Sequence, residues 1–92
     1  MSETMDEVDA RGLLCPLPVL RLRKQLLSMT PGARLRLVAT DPAAVIDVPH
    51  FCAEGGHIMI DMHELADGGH VFTVERGSLA PSATSGLTPR NI

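Results

Sequence analysis

Hydrophobic and polar residues alternate in four short segments of the chain, and this two-residue period predicts four β-strands. The first three segments are separated by two apolar stripes with a three- and four-residue period, which predict amphipathic helices. Glycine or proline stands at each junction between segments, as is typical of turns and helix ends. The predicted strands cover residues 8–11, 34–40, 57–65 and 70–76, and the predicted helices cover 16–29 and 42–54.

The order βαβαββ predicts an α/β fold, a two-layer sandwich with a four-stranded mixed sheet. Because strand–helix–strand crossovers are right-handed, both helices should lie on one face of that sheet. The other face is then open. Met59 alternates out of register with Ile58, Ile60 and Met62, so we expect an apolar patch around Met59 on the open face. Such a patch suits a weak homodimer or another partner.

The chain has room for one small domain. Residues 77–92 lack apolar periodicity and are rich in Ser, Ala, Gly and Pro, so we expect a domain at 1–76 and a disordered tail at 77–92. A domain of this size cannot easily enclose a substrate cavity. We therefore expect its chemistry to be carried by one exposed side chain or shared with a partner protein.

Composition excludes several classes of partner. The net charge is -3 at pH 7 and the only aromatic residues are Phe51 and Phe72, so we expect no direct binding of nucleic acid. No apolar run approaches the roughly 18 residues of a membrane span, and the acidic N-terminus has no signal-peptide pattern. Two cysteines without a secretion signal indicate reduced thiols and a cytoplasmic protein with no membrane partner.

Four histidines raise the question of a bound metal, and they stand at positions 50, 57, 63 and 70. None of them forms a His-x-x-x-His pair, and the chain has no Cys-x-x-Cys pair, so the spacings typical of metal ligands are missing. We therefore expect no metal site, and nothing else in the sequence indicates a cofactor.

The segment 12–18, Gly-Leu-Leu-Cys-Pro-Leu-Pro, carries the strongest chemical signal. Pro16 and Pro18 are compatible with the following helix if both lie in its first turn, where backbone donors have no intrahelical partner. Cys15 then stands at or beside the N-cap, where the helix dipole favours a thiolate. We expect a lowered pKa for the Cys15 thiol and a sulfur held outward by the stiff loop. The alternative is a small buried residue at a helix start.

Three further side chains have both a structural and a functional interpretation. Cys52 is expected to pack on the apolar side of the second helix, and the alternative is a role as second thiol. Arg23 lies within an apolar arc of the first helix, so it either pairs with an acid such as Asp41 or flanks the thiol. Asp41 precedes a proline and is expected to cap the second helix, which Pro49 should kink or restart. Arg23 and Asp41 are our candidate partner contacts.

The sequence Asp-Ala-Arg-Gly-Leu-Leu-Cys-Pro-Leu-Pro at residues 9–18 resembles the signature of the TusA/SirA-like sulfur carriers. The hallmark of that family is Cys-Pro-x-Pro at the start of the first helix. The resemblance covers about residues 8–76 and continues through short motifs at 23–24, 31–32, 41–42, 47–49 and 51–52. It implies the same βαβαββ sandwich and a Cys15 that holds sulfane sulfur as a persulfide. The residues that would shape this site are Gly12, Pro16, Leu17 and Pro18.

The resemblance also implies partner proteins. In that family the sulfur donors are cysteine desulfurases or rhodanese-type enzymes. The acceptors are relay proteins that lead to tRNA thiolation, cofactor synthesis or sulfur oxidation. We therefore expect a sulfurtransferase whose turnover depends on other proteins. Two alternatives stay open, namely a regulatory or adaptor domain of the same fold, and a redox switch between Cys15 and Cys52.

Overall fold

A computed structural model describes residues 6–78 of the chain. In chain order the elements are β1 (Asp6–Ala10), α1 (Leu17–Leu27), β2 (Arg34–Ala39), α2 (Ala44–Gly55), β3 (Ile58–Glu64) and β4 (His70–Glu75). The predicted βαβαββ order is confirmed. Pro49 lies inside α2, which continues through it without a restart. Within residues 6–78, neither helix has the length and apolar character that a membrane crossing requires.

The four strands form one mixed sheet in the order β1-β2-β4-β3. β1 and β2 are parallel, whereas β4 is antiparallel to both of its neighbours, β2 and β3. Leu35 lies opposite Val74 and Leu37 lies opposite Phe72. All four side chains are fully buried in one cluster with residues of both helices. The two-layer sandwich with both helices on one face is therefore confirmed.

The core forms between the helices and this face of the sheet. Leu22 and Leu26 from α1, and Val48 and Cys52 from α2, are buried in the same cluster as Phe72. In each helix the two residues are four positions apart, so they lie on one face, one turn from each other. Burial of each large apolar side chain contributes about 1.5–3 kcal/mol. This packing holds the two helices side by side against the sheet.

The starts of both helices lie at the same edge of the sheet. β1 and β2 are parallel neighbours, and Ala10 at the end of β1 pairs with Ala39 at the end of β2. The connections at 11–16 and 40–43 therefore leave the sheet side by side. Functional sites of α/β folds commonly form outside the carboxyl ends of parallel strands, so this edge is the expected location of a site.

β3 departs from the alternation expected from its sequence. A bulge between Met59 and Asp61 shifts the register, so Met59 lies opposite Val74 while Met62 lies opposite Phe72. Since Val74 and Phe72 share the face covered by the helices, Met59 and Met62 belong to that face although they are three positions apart. One extra residue in the strand thus moves every later side chain to the other face.

The predicted faces of Ile58 and Met59 are therefore wrong, whereas Met62 lies on the helix-covered face as expected. Met59 packs against the core instead of lying on the open face. Ile58 lies opposite Glu75, on the face turned away from the helices, and is half exposed. The expected patch around Met59 does not form, so the homodimer prediction loses the observation on which it rested.

The fold extends past the predicted domain boundary at residue 76. Gly77 is buried, and its N–H donates a hydrogen bond of 3.2 Å to Nδ1 of His57. A Cβ at this position would overlap the carbonyl oxygen of Gly56. Gly77 is therefore packed against residues 56 and 57 and does not belong to a disordered tail. Only a residue without a side chain fits at this position. The rest of the predicted tail, from residue 79 to 92, lies outside the described residues.

We expect Gly77→Ala to destabilise the domain by about 1–3 kcal/mol, because the added methyl group forces two backbone segments apart. Chemical denaturation of the full chain measures the loss of unfolding free energy. Ser78→Ala changes the exposed next residue and is the matched control, which should stay within about 0.5 kcal/mol of the wild type. Equal stability of the two variants would contradict the close approach at Gly77.

Candidate functional site

The chain turns sharply after β1. Gly12 has a φ of 78°, in the left-handed region that favours glycine. The turn closes with a hydrogen bond of 3.2 Å from the Leu13 N–H to the Ala10 carbonyl. The Gly12 N–H donates to Oγ1 of Thr40 at 2.9 Å. The glycine thus directs residues 11–16, which we call the thiol loop, along the end of β2.

Cys15 stands immediately before the start of α1. Pro16 is the N-cap residue and Pro18 lies in the first helical turn, so the two prolines begin the helix as expected. The Leu17 N–H donates to the Leu14 carbonyl at 2.8 Å and closes the turn that carries the cysteine. Cys15 is exposed, and its neighbours Leu14 and Leu17 are 70% and 47% exposed. The cysteine is therefore accessible to another protein.

Asp41 ties the thiol loop to the start of α2. Its Oδ2 accepts a hydrogen bond of 2.6 Å from the Cys15 N–H, and its Oδ1 accepts one of 3.1 Å from the Ala43 N–H. The regular helix begins at Ala44, so Asp41 caps the turn that leads into α2. Among residues 6–78, Arg23 and Asp41 do not form the expected ion pair, and both oxygens of Asp41 accept backbone N–H groups instead. Arg23 is exposed on α1, and its contact with a partner stays a prediction.

A second carboxylate, which the sequence interpretation missed as a site residue, reaches the sulfur itself. The Cys15 thiol donates a hydrogen bond of 3.0 Å from Sγ to Oδ2 of Asp47. Asp47 lies in the first turn of α2, between the buried residues Ala44 and Val48. Helical spacing alone therefore places Asp47 beside the buried stripe of α2. That spacing and the short family motif at 47–49 are the signals that could have marked it as a site residue.

The pKa of the Cys15 thiol is raised, whereas the sequence predicts a lowered one. The largest cause is the hydrogen bond from the thiol to Asp47, followed by removal from water and by the negative charges of Asp47 and Asp41. Each of these effects favours the neutral thiol over the thiolate. The prediction is wrong because it considered the dipole of α1 alone, while both carboxylates come from the neighbouring crossover.

An open groove of about 280 Å³ adjoins Cys15. Its other lining residues are Pro16 and Val19 from the α1 side, and Asp47, His50, Phe51 and Glu54 from α2. In the groove wall, Nε2 of His50 lies 3.3 Å from Oε2 of Glu54. Within residues 6–78, no three His, Cys, Asp or Glu side chains are grouped as metal ligands. The groove can receive a protruding group of a partner, but it does not enclose a substrate.

Comparison with known protein families assigns this geometry to one of them. The family model described as Sulfurtransferase TusA matches residues 6–76, which include all six strands and helices. The chain belongs to the TusA sulfurtransferase family. Cys15, Asp41 and Asp47 all lie inside the matched region, so the site described above is part of the TusA-like domain.

Several relatives carry the name of sulfur carriers. TusA of Pseudomonas aeruginosa (strain LESB58) is 35% identical over 77 residues, covering 83% of this chain and 96% of that protein. A putative sulfur carrier protein of Neisseria meningitidis serogroup A is 45% identical over 73 residues, covering 79% and 90%. TusA of Allochromatium vinosum is 41% identical over 64 residues, covering 70% and 84%. Each alignment covers most of this chain and most of the relative.

The fold is also similar to that of a solved structure. The crystal structure of the SirA-like protein from Desulfitobacterium hafniense matches with a TM-score of 0.72. The match covers 79% of this chain and 99% of that chain, at 23% sequence identity. This likeness supports the TusA-family fold independently of the sequence motif.

The second cysteine of this TusA-family chain is part of the core. Cys52 is 2% exposed on the buried side of α2, and burial raises the pKa of its thiol to about 11. Both cysteines are free thiols. The structure agrees with the packing interpretation of Cys52, because a sulfur-carrying role for this residue would require α2 to leave the sheet.

We expect iodoacetamide to alkylate Cys15 but not Cys52 in the native chain at about pH 8.5. The thiolate is the reactive species, and Cys52 combines burial with a pKa of about 11, so it stays protonated at this pH. Peptide mass spectrometry locates the label, and the same reaction in denaturant should label both residues. Native labelling of Cys52 at the rate of Cys15 would contradict its position in the core.

Proposed function

We propose that this chain is a sulfur carrier that holds sulfane sulfur as a persulfide on Cys15 and passes it from one protein to another. The observation that carries the proposal is the exposed Cys15 at the start of α1, in the Cys-Pro-x-Pro motif of a TusA-family domain. The relatives named as sulfur carriers support it. Because the adjoining groove is open, a partner can reach the sulfur directly.

Loading is an exchange between a thiol and a persulfide. The Cys15 thiol loses its proton, and the sulfur attacks the terminal sulfur of a donor R–S–SH. A new S–S bond forms Cys15–S–SH, while the S–S bond of the donor breaks. The electron pair of that bond leaves with R–S⁻, which takes up a proton in place of the one released. No net oxidation occurs, so the step needs no cofactor.

Unloading repeats the same exchange in the opposite sense. An acceptor thiolate attacks the terminal sulfur of Cys15–S–SH and forms the persulfide of the acceptor. The S–S bond to Cys15 breaks, and the cysteine leaves with the electron pair as a thiolate, which is then protonated. The carrier returns to its starting state, ready for the next donor.

The surface around the thiol suits contact with proteins. Leu14, Leu17 and Leu20 are exposed on the thiol loop and the first turns of α1. Arg21 and Lys24 follow on the same helix and line a second groove with Leu17 and Leu20. Apolar side chains with a charged rim are typical of protein interfaces. We assign this surface to a donor of the cysteine desulfurase or rhodanese class and to an accepting relay protein.

From the family resemblance we infer a downstream pathway of tRNA thiolation, cofactor synthesis or sulfur oxidation. Neither alternative function has a specific observation in its favour. A redox switch requires Cys52 to meet Cys15, whereas Cys52 is buried in the core. An adaptor domain would bind its partner while Cys15 stays unmodified, and this difference is measurable.

Incubation with a sulfane donor, followed by mass spectrometry, tests the proposal. We expect the wild type and Cys52→Ala to gain about 32 Da on Cys15, the mass of one sulfur, and to lose it on reduction. Cys15→Ser should gain nothing, because it lacks the accepting thiol. Cys52→Ala is the matched control, since it removes a cysteine but keeps the proposed site.

Three outcomes would contradict a persulfide carrier. A wild-type chain that stays unmodified would favour the adaptor. A loss of about 2 Da, from oxidation of two thiols to a disulfide, would favour the redox switch. Transfer of sulfur to an acceptor by Cys15→Ser would show that Cys15 is not the carrying residue.

A further inference from the structure

The proton of the Cys15 thiol has a defined acceptor. The distance of 3.0 Å between Sγ and Oδ2 directs the S–H at Asp47, which is held in the first turn of α2. We propose that Asp47 is a positioning residue that keeps Cys15 protonated in the free carrier and sets the pH at which the carrier reacts. The effect of Asp47 on sulfur transfer rests on the proposed function, whereas the hydrogen bond between Cys15 and Asp47 does not.

The charged groups around the sulfur come from the second crossover. Asp41 accepts the Cys15 N–H at 2.6 Å, and Asp47 accepts the thiol. Further along the groove, His50 and Glu54 lie 3.3 Å apart and interact with each other. The α1 side lines the groove with uncharged side chains. Among residues 6–78, the carboxylate of Asp47 therefore accepts the thiol, that of Asp41 accepts the Cys15 N–H, and the groove histidine is paired with Glu54.

The thiol keeps its proton even though a carboxylate lies within reach. A carboxylate is intrinsically a much weaker base than a thiolate, so the proton stays on the sulfur. The two negative charges beside the sulfur also oppose the formation of another. The pKa of the Cys15 thiol is raised accordingly.

A protonated thiol protects an exposed carrier. The neutral thiol is a poor nucleophile, so alkylating agents and oxidants in solution react with it slowly. The neutral thiol also attacks a persulfide donor slowly until it loses its proton, so the loading rate depends on pH. Asp47 thereby suppresses reactions that occur without a bound partner.

Asp47→Asn tests this role, because the amide has the shape of the carboxylate but no charge, and it can donate to a thiolate. We expect the pH midpoint for alkylation of Cys15 by iodoacetamide to fall. For each unit by which the thiol pKa falls, the thiolate fraction at neutral pH rises about tenfold. The less basic thiolate is about threefold less nucleophilic, which offsets part of this gain. The rate at pH 7 should therefore rise about threefold for each unit by which the midpoint falls.

Glu64→Gln is the matched control, since it removes one negative charge from an exposed residue of β3. We expect its pH midpoint to equal that of the wild type. An unchanged midpoint in Asp47→Asn, or an equal fall in Glu64→Gln, would overturn the proposal. Thermal unfolding of both variants checks that each is folded.

A second measurement leaves Asp47 unchanged. The pH midpoint of Cys15 alkylation in the native Cys52→Ala chain is compared with that of the same chain unfolded in urea. We expect the midpoint to be higher in the folded chain, where Asp47 accepts the thiol. A midpoint that is equal or lower in the folded chain would overturn the proposal.

Sulfur loading separates this inference from the proposed function. At pH 7, Asp47→Asn should gain sulfur from a small sulfane donor faster than the wild type and reach the same final mass. If neither chain gains sulfur while the alkylation midpoints differ as expected, the persulfide function fails and the role of Asp47 stands. If both gain sulfur at equal rates with equal midpoints, the role of Asp47 fails and the persulfide function stands.

Discussion

The carboxylate of Asp41 joins the two crossover connections of the fold, and the placement of the thiol depends on this junction. One oxygen accepts the Cys15 N–H and the other accepts the Ala43 N–H, so one side chain fixes the thiol loop against the start of α2. The junction can form because β1 and β2 are parallel neighbours that end side by side. The topology of the sheet thus determines the position of a single sulfur atom.

Two electrostatic effects compete at that sulfur. The N-terminal end of α1 favours a negative charge, but Pro16 and Pro18 have no N–H to offer to an anion there. The hydrogen bond to Asp47 and the charges of Asp47 and Asp41 act in the opposite direction, and the pKa of the Cys15 thiol is raised. The carboxylates prevail because Asp47 accepts a hydrogen bond from the sulfur and Asp41 lies beside it on the Cys15 N–H, whereas the helix end has lost two of its donors.

Local patterns predicted most of the architecture, because a period of two or of three to four depends only on nearby residues. They located all six elements and placed Cys15 at a helix start. The bulge at Ile60 has no such pattern, since it is decided by pairing with β4. The contact between Asp47 and the sulfur spans 32 positions and depends on how the helices pack. Gly77 was misassigned because tail-like composition concealed its close approach to Gly56.

An exposed reactive atom in so small a domain needs a protection that burial does not supply. The groove beside Cys15 is open, so water and small electrophiles reach the sulfur as easily as a partner does. Under the proposed role of Asp47, a hydrogen bond replaces the missing enclosure. Such a bond weakens steeply with distance and angle, and its donor lies in the thiol loop while its acceptor lies in α2. A partner that enters the groove and draws the carboxylate away from the thiol would therefore remove the protection where sulfur transfer begins.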